Sequence, residues 1–308
     1  MIRPTMMREL ELLPAPVQRQ HHRNQPRLNG LLRLRFESLQ AVRQTVLRVC
    51  DQRPPLKVVR AFQTDHGGAL VHLHNVSGGV LGGDRLELEV EVGPSASVQL
   101  TSTGATRLYR SHKGAPAALQ VTKIRVCADG LLEYLQDPLI PFAGSRYRQE
   151  TTIELAAGAG LFWWETVAPG RAARGELFEY DLLEIKVDLV AEGRPLALER
   201  VRLEPSRRPL SSLARLGPYN YFSTFYICRS GVEASRWLAL EKGLGELAQR
   251  LSSPAEALWG VSTLPANGLV VRALSVRGRD IAAGLLAFWR AAKQHLYGQD
   301  AILPRKVY

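Results

Sequence analysis

The stretch Leu86-Glu87-Leu88-Glu89-Val90-Glu91-Val92 sets Leu and Val on alternate positions and three Glu between them. A period of two places the apolar side chains on one face of an extended chain and the carboxylates on the other, as in a half-buried β-strand. The same alternation runs through Leu31-Leu32-Arg33-Leu34-Arg35-Phe36, Gln120 to Val126, Thr151 to Leu155 and Leu183 to Leu189, with Gly or Pro between most of them. From Gly30 to about Val190 the chain is therefore expected to be nearly all β.

A slower regularity underlies these strands. Leu70-Val71-His72-Leu73, Ser97-Val98-Gln99-Leu100, Leu131-Leu132-Glu133-Tyr134 and Leu161-Phe162-Trp163-Trp164 each follow a Gly or small-residue turn. Their starts are roughly thirty residues apart, a spacing that suits stacked β layers burying their faces against neighbours. Val90-Glu91-Val92-Gly93 also recurs as Ile153-Glu154-Leu155-Ala156. The expected fold is mainly β, an irregular β-helix or solenoid-like stack of strands, with an ordinary sandwich as the alternative.

The last third changes period. Ser230 and Glu233 suggest a capping box, after which Trp237, Leu240, Leu244, Leu247, Ala248 and Leu251 share a helical face. Ser253-Pro254 with Glu256 predicts a short turn stopped near Gly260. Asp280 opens a second helix carrying Ile281, Leu285, Phe288, Trp289, Ala292 and Leu296 before Gly298. Two C-terminal α-helices should thus follow the β body. Residues 30–308 read as one domain, preceded by a flexible basic extension over residues 1–29.

Composition narrows the class. The 308 residues are 45% hydrophobic and 22% charged, which suits a globular protein and excludes disorder for most of the chain. The net charge of +11 comes from forty Lys and Arg, only seven of them Lys, spread without a block. Such dispersal argues against a nucleic-acid arm, and the excess of Arg favours protein interfaces or phosphates. The longest apolar run, Leu155 to Trp164, ends at Glu165, too short to cross a membrane. The first thirty residues hold five Arg, His21 and His22 but no apolar leader core, and Glu9 and Glu11 argue against a transit sequence. Cys50, Cys127 and Cys228 are too scattered for a disulfide framework or CxxC site, so a reducing compartment is expected. Cys127 reads as a buried apolar residue at a strand end.

Several motifs bear on chemistry. Ser77-Gly78-Gly79-Val80-Leu81-Gly82-Gly83-Asp84 could bring backbone amides to a phosphate, but Asp84 runs into a strand and no P-loop Lys follows, so turns are the expected role. His72 and His74 share a strand face, two metal ligands without a third nearby. Glu133 and Asp137 lie beside Pro138 and Pro141. Trp164-Glu165-Thr166-Val167-Ala168-Pro169-Gly170-Arg171 repeats that flavour a layer later, followed by Glu176. Carboxylates in such places could line a surface or channel, or could cap turns and pair with Arg171 or Arg174. A secreted β-solenoid polysaccharide lyase or hydrolase using Glu133, Asp137, Glu165 or Arg171 is the alternative enzymatic reading.

In order along the chain, four stretches resemble the signatures of the urease accessory protein UreD family, also called UreH. They are Ser77 to Leu86, Leu100-Thr101-Ser102-Thr103-Gly104-Ala105-Thr106-Arg107-Leu108-Tyr109-Arg110, Leu132 to Arg146, and Glu165 to Glu176. The resemblance covers roughly residues 30–300. It departs at Ser102, usually Gln in the family, and at Tyr308, usually Trp. It implies a cytoplasmic, non-catalytic chaperone that binds apo-urease, UreF and UreG and helps deliver Ni²⁺, with no tightly bound cofactor and no membrane or nucleic-acid partner. Asp84, Glu133, Asp137, Glu165 and Glu176, which fall in these stretches, are the candidates for a transient Ni²⁺ path. Trp237, Trp289, Arg305 and Tyr308 are the candidates for partner binding. A path of scattered carboxylates, hydroxyls and water suits an ion that must be passed on better than a closed His/Cys cage.

Overall fold

The computed structural model describes residues 28–303. Arg305, Tyr308 and all but the end of the expected N-terminal extension lie outside the described residues.

The β body consists of two sheets between which the chain crosses repeatedly. Strands β1 (Asn29–Leu39) and β2 (Gln44–Arg53) begin the first sheet as an antiparallel pair. After the short β3 (Leu56–Lys57) and β4 (Ala61–Gln63), β5 (Ala69–Asn75) starts the central run of the second sheet. The chain then returns with β6 (Arg85–Val92), beside β1 and parallel to it. Strands β7 (Ser97–Ser102), β10 (Leu131–Leu135) and β13 (Gly160–Val167) continue the second sheet as parallel neighbours of β5. Interleaved with them, β9 (Ala118–Val126), β12 (Arg146–Leu155) and β14 (Leu182–Ala191) continue the first in parallel. The small strands β8 (Thr106–Leu108) and β11 (Leu139–Pro141) pair beside one end of the second sheet.

Of the four recurring starts, Ser97 and Leu131 are level on adjacent parallel strands, whereas Leu161 is level with Leu132 and Leu70 with Gln99, one and two residues out of step. Val90, Ile124 and Ile153 are level in the first sheet. Alternation then assigns the faces. Leu86, Leu88, Val90 and Val92 are buried against the second sheet, whereas Glu89 and Glu91 turn outward to Arg33 (2.7 Å) and Arg35 (3.3 Å). Such exposed pairs each contribute less than about 1 kcal/mol, so the apolar face between the sheets dominates.

Strand β15 (Arg194–Leu203) ends the seven-stranded first sheet antiparallel to β14. The eleven-stranded second sheet continues from β13 through β16 (Tyr221–Arg229) and β18 (Gly268–Ser275) to β17 (Ala257–Thr263), all antiparallel. Neither sheet closes into a barrel. Helices α1 (Ala234–Leu251) and α2 (Gly278–Tyr297) cover the second sheet's other face. There Trp237, Leu240, Leu244, Ile281, Leu285, Phe288 and Trp289 meet Phe162, Trp164, Phe225 and Ile227.

Two helices are therefore present, the later one C-terminal, but the β17–β18 hairpin separates them. The expected turn from Ser253 is correct only as far as Glu256, because Gly260 lies inside β17. The expected capping box is also corrected. Helix α1 begins after Glu233, whose side chain makes no capping bond, and the Ser230 hydroxyl donates instead to Glu192 in the β14–β15 turn. At the other end, Gly298 takes φ +64 beyond α2, a left-handed stop that glycine adopts without a Cβ penalty. Among the described residues no helix is long and apolar enough to cross a membrane.

Candidate functional site

The four signature stretches, far apart in sequence, meet at one end of the β body. Val80 N–H donates to the Arg107 carbonyl and Tyr109 N–H to the Val80 carbonyl, both at 2.8 Å. The Tyr109 hydroxyl donates to the Gly78 carbonyl at 3.1 Å. A Cβ on Gly79 would sit 2.5 Å from the Tyr109 ring and 2.6 Å from the Arg107 carbonyl, so this approach requires glycine. Tyr109 meets Phe142 edge-on at 5.3 Å, and the Arg171 guanidinium lies 4.5 Å above the Phe142 ring. The glycines of the first stretch thus serve turns and close packing.

Ser102, the departure from the family pattern, ties the second stretch to the third. Its hydroxyl accepts from Asp137 N–H at 2.7 Å and donates to the Asp137 carboxylate at 3.0 Å. Asp84 is buried and accepts from the N–H groups of Leu81 (2.9 Å) and Leu28 (3.1 Å). Glu176 pairs with Arg171 and accepts from Ala143 N–H at 3.3 Å. The guanidinium bond is the foremost reason its carboxyl is held below the ordinary range. Asp84, Asp137 and Glu176 therefore hold turns.

The remaining two candidates face opposite sides of the second sheet. Glu133, on β10, points to the helices, where its carboxylate accepts from Trp289 Nε1 at 2.8 Å and Lys293 Nζ at 3.0 Å. Burial raises its pKa, and Lys293 opposes that rise. The pair borders a cavity of 580 Å³ that also meets His66, Gln99 and Ile302.

Glu165, on β13, points between the sheets. It accepts from Gln149 Nε2 and from Gln136 Nε2 (3.3 Å). Gln149 also meets the Tyr147 hydroxyl at 3.2 Å, and that hydroxyl reaches Gln120 at 2.9 Å. Desolvation pushes the Glu165 pKa up to about 7 despite the two amides. With Tyr134 and Tyr147 buried close by, the cluster is a polar seam through an otherwise apolar core. Its outer members Gln120, Tyr134 and Gln136 form the inner wall of a 260 Å³ cavity whose mouth includes His74, Gly78, Gly79 and Ser102 to Arg107.

Five carboxylates chosen from the sequence thus divide into three turn ligands, one ion pair under the helices and one interior acid. Gln120, Gln136 and Gln149 were not among the candidates. Gln120 and Gln149 occupy inward positions of β9 and β12, where alternation calls for apolar residues, and that anomaly is the signal that could have found them.

Of the residues expected to bind a partner, Trp237 and Trp289 lie in the core between the helices and the second sheet, 7% and 0% exposed. His72 packs edge-on against Phe62 at 5.8 Å. Among the described residues, no three His, Cys, Asp or Glu converge in a set suited to a metal ion. Cys127 is half-buried, correcting the buried reading, while Cys228 is buried and Cys50 exposed.

Fold and site together define a two-sheet β protein with a helical flank, in which three signature stretches line one cavity of mixed polar and apolar character. The chain belongs to the UreD urease accessory protein family, whose model matches residues 28–308. A urease accessory protein UreD of Herpetosiphon aurantiacus is 48% identical over 282 residues, covering 92% of this chain and 97% of that protein. The UreD of Bacillus sp. (strain TB-90) is 27% identical over 274 residues, covering 89% and 97%. A UreD 2 of Brucella abortus is 29% identical over 277 residues, covering 88% of each chain.

Proposed function

We propose that this urease accessory protein is a non-catalytic, cytoplasmic scaffold that binds apo-urease together with UreF and UreG and assists delivery of Ni²⁺ as cargo. The parallel ladders, crossed alternately by the chain, are read as the irregular β stack that carries the path. The observation supporting transit is the seam of Glu165, Gln136, Gln149, Gln120 and Tyr147 behind the signature-lined cavity. Amide and carboxylate oxygens can ligate a divalent ion without the thiolates that would trap it. One ionisable acid in the seam offers a charge to a passing cation while the carbonyls replace water. Within this reading Glu165 is the candidate ion contact, and Asp84, Asp137 and Glu176 hold the turns of the signature stretches in place.

Pull-down of tagged chain with the urease structural subunits and UreF, with and without nickel, tests the scaffold. Retention of both partners is the expected result, and retention of neither would overturn the reading. The alternative, polysaccharide lysis or hydrolysis, gains no support from the geometry, since Glu133 and Glu165 open on opposite faces of one sheet.

A further inference from the structure

The two sheets end unequally. The first stops at β15, whose outer edge has no strand neighbour among the described residues, whereas the second runs on through β18 to β17. Glu199 marks the overlap, accepting from Tyr226 Oη at 2.7 Å and Arg272 Nη1 at 2.8 Å. Beyond it the inward face of the second sheet loses its cover. Leu258 is 39% exposed, and Leu274 is half-buried. A groove of 750 Å³ follows this step, with Val201, Leu203, Leu210 and Leu216 on one wall and Phe222, Leu258 and Leu274 on its floor.

The groove runs into a 310 Å³ basin formed by Arg202, Arg207, Arg208 and Arg215, with Glu204 the one lining carboxylate among the described residues. Glu204 already faces Arg202 (3.0 Å) and Arg207 (3.6 Å). Arg202 is also paired with Glu184, so Arg207, Arg208 and Arg215 against Glu204 carry the net positive field beside an apolar trough and a strand edge.

We propose that this step is a docking site for an extended acidic segment of a partner protein, which adds to β15 as a strand. Its apolar side chains would enter the trough and its carboxylates the arginine basin. A second copy of this chain is disfavoured as occupant, because it would offer the same arginine-bearing edge in a chain of net charge +11 rather than an acidic segment. The inference is independent of nickel transit.

The test uses the full chain and fluorescein-labelled octapeptides, measured by anisotropy: alternating Glu and Leu, alternating Glu and Ser, and alternating Lys and Leu. The Glu–Leu peptide should bind best, more weakly with rising salt. N-methylation of its alternate amides should weaken it by about tenfold or more if strand addition carries the affinity. Charge reversal at two exposed arginines, R207E/R208E, should weaken it by about tenfold or more. Leu258→Asp, on the exposed floor, gives an independent loss should the double variant misfold. Equal binding of the Glu–Ser peptide would reduce the site to a general polyanion patch and overturn the proposal. So would indifference to both variants, or no binding of the Glu–Leu peptide up to about 1 mM.

Discussion

Lys293 Nζ lies 3.0 Å from Glu133 Oε2, and this buried pair joins α2 to β10 across the face of the second sheet. Trp289 Nε1 occupies the other carboxylate oxygen at 2.8 Å, so the acid is satisfied by two side chains one helical turn apart. Partners this deep cost energy to desolvate, and the cost becomes visible when one is removed.

Glu133→Gln should therefore destabilise the chain by about 3–5 kcal/mol, because it strands the Lys293 ammonium in a buried site. The double variant E133L/K293M should regain most of that loss. Urea denaturation of Glu133→Gln, Glu133→Leu, Lys293→Met and the double variant checks it, and a double variant as unstable as the worse of E133L and K293M would contradict the account.

Glu165 yields a pH prediction. Its carboxyl titrates from an ordinary 4.5 in the unfolded chain to about 7 in the fold. Between those values the native state holds the proton that the unfolded state releases, so the acid's effect on stability worsens as pH rises through the window. The penalty, complete above pH 7, is about 3 kcal/mol at most. Glu165→Gln should remove it: the variant should gain on the wild type as pH rises from 5 to 8, seen in thermal midpoints. Parallel pH profiles would contradict the shifted acid.

Asp84 should behave oppositely as a turn ligand. Asp84→Ala frees the N–H groups of Leu81 and Leu28 and should cost about 0.5–2 kcal/mol of stability. Once normalised for soluble protein, it should leave nickel loading of urease near wild type, while Glu165→Ala lowers loading without loss of assembly. Nickel content measured alongside pull-down yield separates the two.

Gly284, in α2, faces Trp259, and a Cβ there would lie 2.1 Å from Cζ2 and 2.4 Å from Cη2. Gly284→Ala should thus lower stability by about 1–2 kcal/mol even though alanine favours helices by about 1 kcal/mol. A raised thermal midpoint would contradict this packing.

The strands of the β body were legible because each has one wet face: Glu87, Glu89 and Glu91 alternate with buried Leu and Val. The β17–β18 hairpin was not. Gly268-Leu269-Val270-Val271 is a continuous apolar run with no period to read, and Gly260 looks like a stop although it sits in an edge strand. Signature stretches located the cavity's mouth, yet the carboxylates within them could not be sorted by spacing. Whether Glu133 or Glu165 faces the sheet interior depends on strand register, and three turn ligands have the same composition as a channel. Ser230 illustrates a local signal overruled from afar, its cap replaced by a bond to Glu192.

The most direct test of the account is the nickel content of urease purified from cells that supply UreF, UreG and limiting nickel, with and without this chain. Near-complete loading with the chain and little without it is the predicted result. Equal loading in the two preparations would contradict a role in nickel delivery.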